Sequence, residues 1–549
     1  MGKTQAAADP ADNGPAKRAR TAKRVLISDP IEKVCVDILE ASGAVVDCKA
    51  KLKPEELKAL IGEYDGLIVR SGTTVTADII DAATNMQCIG RAGTGVDNID
   101  CAAATRKGIV VMNTPGGNTI SAAEHTCALI ASLARNVAQG DASMKGGKWD
   151  RKKYMGVELD GKVLGVLGLG RVGREVVSRM QAYNMSVVGY DPLFPADAAR
   201  KLNIEPVSAA EAMSRADFLT VHVPLLEETR NMINTQTIAT MKPGVRIVNC
   251  ARGGIIDEAA LLQALESGHV AGAALDVFES EPPLEHEWAL IKHPKLIATP
   301  HLGASTEEAQ SKVAQEIARS MVAAFAEQPV AGVVNAPDLT LAQKPELKPW
   351  TTLANSMGSL AAQVLDGQVR NVKVELTGAA LEKTGSLCLA ASLVGIFGKV
   401  TGEQVNLISA PTFAAEREIE VSHALSSEES AYSSLLKLTV ETTAGTKMIA
   451  GTVFSPTQLR IVQFEDKHVE FVPSGYLFIY KSIDKPGVLS RVSGFLGEQH
   501  VNIKSAAVST SGGKKEVVNV FSVDQRIDAS LMKSALALPD VSDVKAVYI

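Results

Sequence analysis

Cysteines, aromatics, long apolar runs and one-sided charge are all in short supply in this chain. Its seven cysteines (Cys35, Cys48, Cys88, Cys101, Cys127, Cys250 and Cys388) form no CxxC pair and no metal-ligand spacing. The odd count argues against a disulfide framework, so free thiols in a reducing, cytoplasmic compartment and no metal are expected. No run of 18 or more residues is apolar throughout, which excludes a helical membrane span. A net charge of −6 over 549 residues gives no long-range attraction for nucleic acid or an anionic membrane. A small anionic ligand would need locally placed arginines. Residues 1–24 lack the apolar segment of a secretory signal. They carry Asp9, Asp12 and a basic cluster from Lys17 to Arg24, and read as a disordered, solubilising extension.

What is present is length and alternation. The chain is too long for one core, and about 150 residues per domain gives three or four domains. Short apolar runs at Val25–Asp29, Gly66–Arg70 and Cys88–Arg91 alternate with polar helical stretches, so a first α/β lobe is expected over 25–118. A long Ala/Leu-rich helix, Ser121–Asn136, crosses to a second unit over 119–301. There the strand candidates are Lys162–Leu167, Ser186–Tyr190, Phe218–Val223, Val245–Asn249, Ala273–Val277 and Leu296–Ala298. Such continuous apolar strands suit a parallel sheet covered on both faces. A helical stretch from Ser305 to Ala326 returns to complete the first lobe over 302–328, giving two lobes with a cleft between them. The proline-bearing segment 329–350 reads as a linker, 351–472 as a mixed α+β domain, and 475–549 as a βαββαβ, ferredoxin-like domain.

The second unit opens with Gly168-Leu169-Gly170-Arg171-Val172-Gly173 between a strand and a helix. The first glycine permits the tight turn, the second lets backbone approach a pyrophosphate, and the third lets helix pack on strand. Asp191 ends the next strand, 18 residues beyond Gly173. Its carboxylate suits the two ribose hydroxyls and repels a 2′-phosphate, so NAD is expected rather than NADP. Arg252, Glu281 and His301 then follow successive strands. Two parallel N–H donors let Arg252 grip a planar carboxylate. His301 is suited to exchange a proton with a hydroxyl, and a carboxylate such as Glu281 on its ring favours the protonated form and fixes the tautomer. Together they suggest hydride transfer between a nicotinamide and a 2-hydroxy acid.

The segments Arg91-Ala92-Gly93-Thr94-Gly95-Val96-Asp97-Asn98, Val111-Met112-Asn113-Thr114-Pro115, the glycine loop, Asn249 to Gly254, Glu281-Pro282-Pro283 and Pro300 to Thr306 resemble the D-isomer-specific 2-hydroxyacid dehydrogenases. From about residue 24 onward the resemblance is to their long form. It implies two flavodoxin/Rossmann-like lobes, an α+β intervening domain and a ferredoxin-like ACT domain. It implies Arg252, Glu281 and His301 as catalytic, and Thr94, Gly168, Gly170, Arg171, Val172, Gly173, Asp191, Cys250, Ala251, Asp276, His301 and Gly303 around NAD. Val223 stands where close relatives often have Thr, so its contact would run through backbone. Arg70, Ser71, Arg91 and Asn98 would receive the substrate's carboxylate or phosphate; Arg70 and Arg91 both end strands, where a phosphate needs cationic donors.

For long-form members the implied reaction is oxidation of 3-phospho-D-glycerate. Alternatives are another D-2-hydroxyacid dehydrogenase of the glyoxylate/hydroxypyruvate reductase type, or an NAD-sensing scaffold like the corepressors of this fold. In the ACT-like domain Asp484, Gly487 and Asn502 match a loop that binds L-serine in some relatives. Ser482 departs from the larger His or Tyr of serine-regulated members, which leaves a purely structural dimerisation role open. The resemblance also implies a homotetramer or homodimer.

Overall fold

A computed structural model describes residues 22–400, 405–427, 430–509 and 516–549, without the side chain of Val400. The predicted extension therefore lies outside the described residues up to position 21. At its end Arg24 is not disordered. It is the first residue of strand β1, ion-paired to Asp47 and Glu63 and stacked on Tyr64.

Contacts divide the chain into two units. One holds 22–91, 96–113 and 317–549, the other 92–95 and 114–316. The first unit opens with a parallel sheet of β1–β5 (Arg24–Ile27, Val45–Cys48, Gly66–Val69, Cys88–Arg91 and Val110–Met112) in the order 2-1-3-4-5. Its core gathers Leu26, Leu67, Val69, Ile89 and Val111. On the sheet, Gly66 and Gly90 leave room for Met321, Phe325 and Ile317 of the long helix Glu307–Phe325. The segment expected as a linker is partly structured here. Val333 bridges Met112, Asn113 N–H donates to Gly332 O, and Asn335 caps Val111 N–H while donating to Ile109 O. A proline-bearing stretch thus becomes an added edge to β5, because its free backbone groups find partners on that strand.

The second unit is a seven-stranded parallel sheet of β6–β12 (Val163–Leu167, Ser186–Tyr190, Ile204–Pro206, Phe218–Val221, Val245–Asn249, Val270–Leu275 and Leu296–Ala298) in the order 12-11-10-9-6-7-8. Apolar clusters fill both faces, as continuous Val/Leu/Ile strands require. Strand order reverses direction between β6 and β9, so the carboxyl ends of these two strands flank the crevice where open α/β sheets seat ligands.

The rest of the first unit holds two more sheets. Strands β13–β18 (Val369–Thr377, Glu420–Leu425, Leu435–Thr442, Gly445–Ser455, Gln458–Phe464 and Lys467–Phe471) run 14-13-15-16-17-18. Helices Lys348–Val364 and Gly385–Val400 pack with them. Strands β19–β22 (Tyr476–Ile483, Ile503–Val508, Glu516–Val523 and Val541–Tyr548), ordered 20-21-19-22, carry helices Val488–Glu498 and Ala529–Leu536. This is the ferredoxin-like order. One face of this last sheet packs on its own helices through Phe478, Tyr480, Val492, Leu496 and Phe521. The other face, with Leu477, Ile479, Val518, Val520 and Val547, joins the core of the preceding domain beside Leu353, Leu360 and Phe471. Among the described residues no helix is long and apolar enough to cross a membrane.

Candidate active site

Every candidate cofactor and catalytic residue from Gly168 to Gly303 follows the carboxyl end of a strand in the seven-stranded sheet. After β6, Gly168 adopts φ +98°, with His222 O 2.6 Å from where its Cβ would lie. A Cβ on Gly173 would run into Gly168 O, so tight packing of helix Arg171–Gln181 on the turn demands glycine. Gly170 differs: a Cβ there would meet nothing within 4 Å. Packing alone does not call for glycine at 170, whereas a pyrophosphate resting on backbone at a helix N-terminus does. The seat fits the group on that ground.

Asp191, after β7, accepts Leu169 N–H on Oδ2 and Leu193 N–H on Oδ1, both at 2.8 Å. The acidic residue is thereby locked to the glycine loop it faces. Arg171 reaches back to Pro115 O at 2.8 Å, and Val172 is half-buried in the first helical turn. Thr94 donates to Asn118 Oδ1 at 2.7 Å. Val223 follows β9, its Cγ1 3.1 Å from the place of a Gly168 Cβ. Beside it, burial pulls the His222 imidazole down to about 4, so the ring is neutral at pH 7.

After β10 the turn Cys250-Ala251-Arg252 is built by Asn249. Its Oδ1 accepts Ala251 N–H and its Nδ2 donates to Arg252 O. Burial pushes the Cys250 thiol up to about 12, which makes it inert packing rather than a nucleophile. The next residue, Gly253, lies so close to Phe278 that a Cβ would strike its carbonyl. Turn 250–253 and loop 278–283 are therefore packed backbone to backbone, and Arg252 and Glu281 share one support.

After β12, His301 takes φ +54° and holds its N–H against Asp276 O and Thr299 O. Its Nδ1 is 2.6 Å from Glu281 Oε2, and Glu281 Oε1 accepts Phe278 N–H at 3.3 Å. Both side chains are near 40% exposed, so substrate can reach the ring. Asp276 is wholly buried. Burial pushes its carboxyl up, yet bonds from His125, Thr299, Leu302 N–H and Gly303 N–H outweigh that and hold it below the ordinary value. Gly303 N–H meets Oδ2 at 2.8 Å. Sequence reasoning misses the donors His125 and Thr299; the usable signal is that Ser121 and His125 stand four apart on one helix face.

The candidate substrate residues belong to the first unit. Arg70 and Arg91 stand at strand ends, half-buried, and Ser71 is exposed. Asp29, buried, accepts Arg70 N–H, Thr73 N–H and the Thr73 hydroxyl. Asn98 spends both amide hydrogens on Arg70 O and Thr73 O, at 2.7 and 2.5 Å. It braces the loop that carries Arg70 and Ser71, leaving only its Oδ1 for anything else. In the last domain Asp484, Gly487 and Asn502 are exposed, and Gly487 has φ +88°. Ser482 is buried, its hydroxyl accepting from Asn519 Nδ2 at 2.9 Å.

Residues 127–303 match the model of the D-isomer specific 2-hydroxyacid dehydrogenase NAD binding domain. The chain also aligns with D-3-phosphoglycerate dehydrogenase of Methanocaldococcus jannaschii, 40% identical over 95% of this chain and 99% of that one. The chain belongs to the D-isomer specific 2-hydroxyacid dehydrogenases. As a member it is an NAD-dependent oxidoreductase acting on a CH–OH group. Residues 346–465 match the D-3-phosphoglycerate dehydrogenase intervening domain and 476–540 the ACT domain. The enzyme of the same name from Bacillus subtilis is 39% identical, with 95% of this chain and 99% of that one covered. Among solved structures, a glyoxylate reductase from Paecilomyes thermophila superposes with a TM-score of 0.52 at 29% identity, covering 56% of this chain and 96% of that one.

Proposed function

We propose that this dehydrogenase oxidises 3-phospho-D-glycerate to 3-phosphohydroxypyruvate, the first step of the phosphorylated route of L-serine biosynthesis. The observation that carries the chemistry is the 2.6 Å bond between His301 Nδ1 and Glu281 Oε2. A carboxylate at Nδ1 makes that nitrogen the donor, so in the neutral ring Nε2 carries the lone pair and faces the substrate hydroxyl. His301 then takes the hydroxyl proton, and Glu281 supports the charge that develops on the ring. Arg252 grips the substrate carboxylate and sets the hydroxyl-bearing carbon in place. The glycine loop and Asp191 would hold NAD, which would supply the hydride acceptor for this carbon. Arg70 and Ser71, on a loop braced by Asp29 and Asn98, and Arg91 at the end of β4 receive the phosphate.

The phosphorylated substrate is favoured over simpler 2-hydroxy acids by full-length similarity to two enzymes named for it and by the paired strand-end arginines. We further assign a cytoplasmic homotetramer or homodimer whose ACT domain takes an amino-acid effector, L-serine, at Asp484, Gly487 and Asn502. All seven cysteines are free thiols, which suits that compartment. An NAD-coupled assay of 3-phosphoglycerate against glycerate, lactate and glycolate, with and without L-serine, tests these assignments. A preference of less than about tenfold for the phosphorylated acid, no more than a methylene's worth of discrimination, overturns the substrate. An unchanged rate with serine overturns the effector.

A further inference from the structure

Behind the His301–Glu281 pair stands a second histidine–carboxylate pair. His125 lies on helix Thr119–Arg135, and its Nε2 is 3.1 Å from both Asp276 Oδ1 and Thr299 Oγ1. The Thr299 hydroxyl donates to the same Oδ1 at 2.5 Å, and Leu302 N–H reaches it at 2.7 Å. Three donors thus converge on one oxygen of a fully buried carboxylate, while the second oxygen takes Gly303 N–H. One turn earlier on the same helix face, Ser121 donates to Gly303 O at 2.8 Å. Helix and catalytic turn are joined at both ends: Ser121 holds the carbonyl of residue 303, and His125 holds the carboxylate that binds the N–H groups of residues 302 and 303.

We infer that His125 is a positioning residue for the hydroxyacid oxidation, acting through Asp276 on the turn 301–303; this rests on the proposed role of His301. His301 sits in a left-handed backbone conformation that a non-glycine residue keeps only when its surroundings enforce it. Asp276 supplies that enforcement with its backbone carbonyl and both carboxylate oxygens. Asp276 itself is a charge without solvent, and such a charge is held only while its donors remain. Removing the imidazole leaves Oδ1 short of one donor and frees the carboxylate to tilt. His301 Nε2 then moves off the line of the substrate hydroxyl, and misplacements of about 1 Å cost roughly 100-fold in rate. Among the described residues the polar partners of His125 are Asp276 and Thr299, so its hydrogen-bonded link to the reaction runs through this turn.

The test compares His125→Ala with His125→Gln, whose terminal amide restores an N–H near the position of Nε2. Expected for His125→Ala is a fall in kcat of about 10- to 100-fold. The KM of the hydroxy acid and the NADH Kd, read from nicotinamide fluorescence, change by less than about threefold (under 1 kcal/mol). His125→Gln is expected to recover most of the loss. Should the alanine variant fail to fold, His125→Phe keeps the bulk without the donor and carries the same expectation. A kcat within twofold of the unaltered chain, or a glutamine variant no better than alanine, overturns the inference. Turnover by the unaltered chain tests the proposed function separately. If no hydroxy acid turns over, crystal structures decide: a turn 301–303 left in place by His125→Ala overturns the positioning role.

Discussion

The imidazole of His301 and the carboxylate of Glu281 meet at 2.6 Å across two loops, one after β11 and one after β12. The bond orients the ring and makes Nδ1 the donor, which leaves Nε2 without a partner among the described residues. His301→Ala is expected to lower kcat by about 10²–10⁴-fold with NADH binding unchanged. Glu281→Gln, which lets either ring nitrogen carry the proton, lowers it by at least about tenfold. Steady-state kinetics together with NADH fluorescence titration check both.

Gly170 and Gly253 separate ligand space from protein packing. Gly170→Ala places a methyl where no protein atom stands within 4 Å, so Tm holds while the NADH Kd rises at least about tenfold, the cost of about 1.4 kcal/mol. Gly253→Ala drives its methyl into Phe278 O. Its unfolding free energy falls by about 1–3 kcal/mol, and kcat falls with it because loop 278–283 carries Glu281. Thermal melts beside cofactor titrations distinguish the two effects.

Asp191 is tied to Leu169 N–H and Leu193 N–H, so the carboxylate proposed to take the ribose is fixed in place by the protein itself. Asp191→Ser removes the acceptor and the repulsion of a 2′-phosphate together. The ratio of kcat/KM for NAD over NADP is expected to drop about 10- to 100-fold, measured with both cofactors on the same preparation.

Glu465 takes Lys447 from its own sheet and Lys481, at 2.8 Å, from β19. Burial pushes the Glu465 carboxyl up, but the two lysines pull harder and hold it below its ordinary value. A depressed folded-state pKa adds stability above the unfolded value, about 4.3, and that stability is lost as pH falls through the folded one. Glu465→Gln is expected to cost about 1.5–3 kcal/mol at pH 7, a difference that shrinks below about pH 4.3. Urea unfolding across that range reads it.

The sequence carried the central strands and the order of the site along the chain, because buried parallel strands are apolar throughout and the glycine loop has a fixed spacing. Within the two parallel sheets it misses β2, β5 and β8, all at sheet edges. β2 and β8 are short and interrupted by polar or proline residues, as Val45-Val46-Asp47-Cys48 and Ile204-Glu205-Pro206 show, and β5 is only three residues long, Val110–Met112. Segment 329–338 looked like a linker because its order comes from partners on β5, not from its own pattern. Asn98 and Asp276 match ligand contacts by resemblance, yet each has donors or acceptors committed within the protein. Long-range hydrogen bonds of that kind leave no period in a sequence. His125 was hidden for the same reason, since a single histidine on a helix says nothing until Asp276 arrives from 151 positions away.

The sheet of β19–β22 has one face on its own helices and the other in the core of the preceding domain. Gln363 extends that seam: its side-chain amide donates to Tyr548 O and accepts Tyr548 N–H, imitating one more strand at the sheet's edge. A module boundary drawn near residue 472 is thus a boundary of ancestry and not of energy. Cut there, the chain would yield two fragments each wearing half of a core. A graft of this ACT domain onto another enzyme would have to carry the helix Lys348–Val364 along with it.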